Sequence, residues 1–97
     1  MKYIQDIVDE CRQGMIDNIS AKLGGIGKEM EINVTLLNHI KMGGEWYDGH
    51  ITKIGLDNDG IWVFMRFDYE IDGQYYDIED LSMDELFEIA VIGLNLA

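Results

Sequence analysis

The apolar positions of residues 4–23 recur at steps of three and four. Ile4, Ile7, Val8, Cys11, Met15, Ile19 and Leu23 share one face of a helix, and Asp6, Asp9, Glu10, Arg12, Gln13 and Asp17 share the other. Gly14 interrupts the pattern at a cost of about 1 kcal/mol relative to alanine. Gly24 and Gly25 supply a left-handed stop. The period then changes. Met30, Ile32, Val34 and Leu36 alternate with polar residues, which predicts a half-buried strand over Met30–His39. Lys41-Met42-Gly43-Gly44-Glu45 reads as a turn, and Tyr47–Leu56 as a second strand with a bulge near Gly49 or Gly55. Asp57-Asn58-Asp59-Gly60 is a hairpin signal. In a third strand, Ile61–Ile71, the residues Ile61, Val63, Met65, Phe67 and Tyr69 form one face. Trp62 and Phe64 make the other face apolar as well at its start, the pattern of a strand covered on both sides. Asp72-Gly73 predicts another turn, followed by a short strand around Gln74–Ile78.

The closing element marks its own start. Ser82 is a good N-cap, Glu85 completes a capping box, and Leu81 and Leu86 are spaced for a hydrophobic staple. Asp84 and Glu85 suit the positive end of the helix dipole. The expected fold is therefore α+β in a single acidic domain, residues 1–97. It has an N-terminal helix, a three- to four-stranded antiparallel meander sheet and a C-terminal helix. The expected core is Ile7, Val8, Cys11, Met15, Ile19, Val34, Ile54, Val63, Met65, Phe67, Leu86, Ile89 and Ala90. After Glu88 the chain is apolar on every side of a helix, and Trp62 and Phe64 also need a cover. A homodimer through Ile89, Ile92, Trp62 and Phe64 is the expected way to hide that surface.

Charge changes the picture most. Nineteen acidic residues against seven basic ones leave a formal charge of −12. From Phe67 to Ala97 the chain holds Asp68, Glu70, Asp72, Asp77, Glu79, Asp80, Asp84, Glu85 and Glu88, with no lysine or arginine. The basic residues elsewhere stand singly. The aromatic residues on the strands therefore lack the positive field that a base-stacking sheet needs, which argues against direct nucleic-acid binding. The acidic third reads either as a solvated face that keeps the protein soluble or as a docking face for a basic protein partner. On the docking reading the contact residues are Asp68, Glu70, Asp72, Asp77, Glu79, Asp80, Asp84 and Glu88, gathered at one end of the molecule.

Candidate chemistry is sparse. His39 and His50 face each other if the first hairpin is centred between Gly44 and Glu45, and Asp48 or Asp77 could then join them around a metal ion. These are weak candidates, because the chain has no third histidine and no second cysteine. The Asp57–Gly60 stretch fails as a calcium loop, since Gly55 and Arg66 would occupy the two ends that need carboxylates. Cys11 lies on the apolar helix face and reads as a small buried hydrophobe. Ser20 and Ser82 are the only serines, and Ser82 is committed to capping, so a Ser–His–Asp arrangement lacks material. There is no dinucleotide fingerprint and no phosphate-binding loop, and no cofactor is expected.

The start of the chain carries Asp6, Asp9 and Glu10 where a signal peptide would be apolar, and no segment is long enough to span a bilayer. A cytoplasmic location without membrane contact is expected. The functional expectation is a non-catalytic interaction or regulatory module with an acidic docking face, in its specific form an acidic inhibitor of a nucleic-acid-binding protein. The alternative is a small ligand-binding domain or enzyme using an aromatic concavity on the sheet.

Overall fold

Each change of period in the sequence marks a boundary between elements. The computed structural model describes residues 3–68 and 72–96. Helix α1 covers Ile4–Leu23, and strands β1 (Glu29–Met42), β2 (Glu45–Asp57), β3 (Gly60–Phe67) and β4 (Gln74–Asp77) follow. A 3-10 turn (Ile78–Asp80) leads into helix α2 (Met83–Glu88) and a π turn (Ile89–Gly93). The strands form one antiparallel sheet in the order β1-β2-β3-β4, and the fold is the α+β meander expected. Residues 69 and 71 of the expected third strand lie outside the described residues, as does Glu70.

Local chemistry sets the boundaries. The N–H of Gly24, at φ 91°, donates to the carbonyl of Ser20 at 3.2 Å and ends α1. The Ser82 hydroxyl accepts the Glu85 N–H at 3.2 Å, and the Glu85 carboxylate accepts the Ser82 N–H at 2.8 Å. That is the capping box read from the sequence.

The first hairpin departs from expectation. Its turn is Gly43–Gly44, at φ 59° and 83°, so Met42 opposes Glu45 and the centre lies one residue earlier. Only glycine adopts two successive left-handed conformations at little strain. Further along, Leu36 opposes Gly49 while Ile40 opposes Tyr47, so residues 37–39 bulge opposite Asp48. Asn38 holds the bulge with a φ of 50°, and its N–H donates to Asp48 Oδ1 at 2.9 Å. Both shifts act in the same direction. His50 consequently opposes Thr35, not His39.

The core lies between the helices and one face of the sheet. Val34, Leu36, Ile51, Ile54, Ile61, Val63, Met65 and Phe67 meet Ile19, Leu23, Ile78, Leu81, Leu86, Ile89, Ala90 and Leu94 there. The expectation fails for the first half of α1. Ile7 is 48% exposed and Val8 41%, Cys11 is exposed, and Met15 is half-buried. A helix of twenty residues is about 30 Å long. Its second half packs on the core through Ile19 and Leu23, and its first half, up to Cys11, leaves its apolar face exposed. Apolar period marks a face, but a face is buried only where another element reaches it.

The all-round apolar segment after Glu88 is buried in part within the chain. The π turn, closed by Leu94 N–H to Ile89 carbonyl at 3.0 Å, keeps Ile89 and Leu94 both inside. Gly93 lets this turn press on β1, since a Cβ there would lie 2.7 Å from Val34 Cγ2. Ile89 is fully buried in its own core and is removed from the expected dimer surface, whereas Ile92 is 66% exposed.

Candidate functional site

The shifted register sends the two histidines to opposite faces of the sheet. His39, tipped inward by the bulge, stacks on Phe67 with ring centroids 5.8 Å apart and planes 15° apart. Its Nδ1 pairs with the Glu85 carboxylate. Glu85 thus serves the helix cap and the histidine at once. Burial raises its carboxyl pKa, but the hydrogen bonds from Ser82 and the bond and charge of His39 outweigh burial and hold it below its ordinary 4.5. His50 stands on the outer face, its Nε2 2.6 Å from Asp68 Oδ1 and its Nδ1 3.3 Å from Thr35 Oγ1. His39 and His50, the weak metal candidates, therefore do not oppose each other across β1 and β2. No group of three metal-ligating side chains occurs among the described residues.

Thr35, His50 and Asp68 form a hydroxyl–imidazole–carboxylate series that the sequence reading missed, because it considered only serines. A nucleophile also needs oxyanion donors and a cleft for its substrate. Thr35 stands exposed on the open sheet face and lines neither the cavity beside Trp62 and Tyr75 nor the one beside Leu37 and Glu85. What the series does is clamp the His50 ring between two strands.

The acidic residues do not share one end of the molecule. Trp62 opposes Asp77, so Asp77, with Glu79 and Asp80 just beyond it, sits at the start of β3. Asp68 follows the far end of β3, and Asp72 lies on the same side of the hairpin. At about 3.4 Å per residue these two groups are roughly 20 Å apart. Asp84 and Glu88 form a third group, on α2 beside Leu36 and the 75% exposed Leu37. The expectation of a patch at one end is corrected by the antiparallel pairing of β3 with β4, which carries neighbours in sequence to opposite ends. Asp68 is engaged by His50, and Asp77 Oδ1 accepts the Glu79 N–H at 3.0 Å. Arg12 donates to the main-chain carbonyls of Ile78 and Glu79, at 3.4 and 2.8 Å, and not to a carboxylate. Among the described residues the Lys or Arg ion pair is that of Lys53 with Glu29, at 3.6 Å, and Asp68, Asp72, Asp77, Glu79, Asp80, Asp84 and Glu88 pair with no lysine or arginine there.

The sequence pointed to aromatic residues on the sheet without placing them relative to one another. Trp62, Phe64 and Tyr75 form a cluster on its outer face, with Tyr75 5.2 Å from Trp62 at 79° and 5.0 Å from Phe64 at 57°. Trp62 lies flat over Gly55, the residue opposite it on β2, where a Cβ would come within 2.2 Å of the indole. Trp62 and Phe64 thus gain cover from their own sheet, and both are half-buried. Beside Trp62 and Tyr75 is a cavity of about 170 Å³ with Asp57, Asp59 and Asp77 at its rim. The available signal was Gly55, a glycine inside a strand, which was read only as a bulge. No known protein family, curated protein or solved structure matches this chain. No helix among the described residues is long and apolar enough to cross a membrane.

Proposed function

We propose that this protein is a non-catalytic, cytoplasmic interaction module that docks a basic protein partner. The observation that carries the reading is the uncompensated charge. Exposed Asp72, Asp77, Glu79, Asp80, Asp84 and Glu88 meet no lysine or arginine at ion-pair distance among the described residues. An uncompensated field steers an oppositely charged partner and raises its association rate, an effect that fades with salt. The carboxylates stand in three groups, at the two ends of the β3–β4 hairpin and on α2, so a partner meeting all of them would need an extended basic surface such as the groove of a nucleic-acid-binding protein. The test is capture of host proteins by the native chain and by the Glu79→Lys/Asp80→Lys variant, at low and high salt. A basic protein retained by the native chain, lost from the variant and released by salt supports the reading. Equal capture by both chains returns this face to the role of solvated surface.

Self-association is a second reading, favoured by the exposed stripe on α1. Ile4 is 81% exposed, and Ile7 and Val8 join it in one apolar row. Scattered apolar residues need no explanation, but a contiguous row on a projecting helix does. Of the C-terminal residues expected at such a surface, Ile92 is exposed and Ile89 is buried. Light scattering at high micromolar concentration decides the matter: a dimer abolished by Ile7→Ser supports the reading, and a monomer refutes it.

A further inference from the structure

The cavity beside the aromatic cluster has walls and a rim of different chemistry. Trp62 and Tyr75, nearly at right angles to each other, both line it. Trp62 is held in place from beneath by Gly55. Asp57 and Asp77 line the cavity as well; Asp57 Oδ1 accepts the Asp59 N–H at 2.8 Å and Asp77 Oδ1 accepts the Glu79 N–H at 3.0 Å, which leaves each carboxylate a second oxygen. Lys53, the lysine on the same face of β2, is engaged by Glu29.

Size and charge together select the occupant. Pockets for whole metabolites run to about 300–1,000 Å³, whereas a cavity of roughly 150 Å³ holds one benzene-sized group. At about 170 Å³ this cavity takes a single planar side-chain head. Aromatic faces attract cations, and carboxylates at the rim select for them again. A guanidinium satisfies both demands at once, because it stacks flat on a ring while its N–H fork pairs with carboxylates at the edge. A lysine ammonium is more strongly hydrated and has no plane to stack.

We propose that this cavity is the anchoring slot for an arginine side chain of the basic partner. The assignment rests on the docking reading and gives that reading a specific contact. Binding of an arginine is oriented by Trp62 and Tyr75 and charge-paired by Asp77 and Asp57.

The test titrates the isotope-labelled full chain with three blocked peptides of equal length, rich in arginine, lysine or citrulline, and with free L-arginine. Nuclear magnetic resonance then follows the Trp62 indole N–H. The arginine peptide is expected to shift that signal and those of Asp57, Asp59, Tyr75 and Asp77 saturably. The citrulline peptide, planar but neutral, leaves them unmoved. The lysine peptide binds severalfold more weakly. Trp62→Leu weakens the arginine peptide about tenfold, and Asp77→Asn does so to a similar extent. Should Trp62→Leu lose its fold by circular dichroism, the exposed Tyr75→Leu replaces it.

Equal affinity for arginine and lysine peptides, with shifts spread over Asp72, Asp84 and Glu88, overturns the slot and leaves the acidic docking reading standing. Shifts from neither peptide at low salt overturn both. Free arginine binding as tightly as the peptide assigns the slot to a small molecule and overturns the partner assignment.

Discussion

Truncation of Phe67 to alanine tests where the core is centred. Phe67 is 4% exposed, closes the helix-side row of β3, and packs against His39 and, edge-on at 6.2 Å, against Tyr76. Removing a ring from such a position costs about 3–5 kcal/mol. Its ring pairs are included in that figure, and a double-mutant cycle with His39→Ala should assign about 0.5–1.5 kcal/mol to the stack. A domain of this size holds only about 5–15 kcal/mol in total, so the variant retains little margin. At about 4–8 °C per kcal/mol for a domain of 60–100 residues, the melting temperature should fall by roughly 12–40 °C. Phe87 supplies the control. It is the same residue type, on α2, but 57% exposed, and its truncation should change stability by no more than about 0.5 kcal/mol. Urea unfolding followed by far-ultraviolet circular dichroism measures both at fixed ionic strength. A loss below about 1 kcal/mol for Phe67→Ala, or equal losses for the two variants, refutes the packing described for β3.

Three further outcomes follow from the same geometry. Glu85 is held below its ordinary 4.5, so its contribution is present above that value and disappears as pH falls through the lower folded value. The stability gap between native chain and Glu85→Gln should accordingly be widest above pH 4.5 and close in acid, and a gap independent of pH would contradict the His39 pairing. On α1, Ile19→Ala should cost about 2–5 kcal/mol and Ile7→Ala far less, because Ile19 is fully buried and Ile7 is not; equal costs in urea unfolding would place the helix differently. With a formal charge of −12, added sodium chloride should raise the melting temperature by screening self-repulsion, and an unchanged or lower value would mean that the carboxylates are compensated.

The elements themselves were legible in the sequence because their causes are local. The shift from helical to alternating period, the Gly24 stop, the Asp57–Gly60 turn and the Ser82–Glu85 capping box each act within a few residues, and all of them form. Alternation along β3 was enough to place Ile61, Val63, Met65 and Phe67 on the core side. What required the tertiary structure was register, cover and alignment between distant segments. A Gly-Gly turn centred one residue earlier and a bulge at Asn38 separate two histidines that simple counting sets opposite each other. Helical period identified the apolar face of α1, but only the packing of the other elements decides that Ile19 and Leu23 are buried while Ile7 and Val8 stay exposed. Antiparallel pairing divides an acidic run that is continuous in the chain, and it sets Trp62 on Gly55 and brings the Asp57 turn beside Asp77. Local propensity depends on neighbours in sequence, whereas a binding site depends on which strands lie side by side, and that is fixed only when the whole sheet packs on its helices.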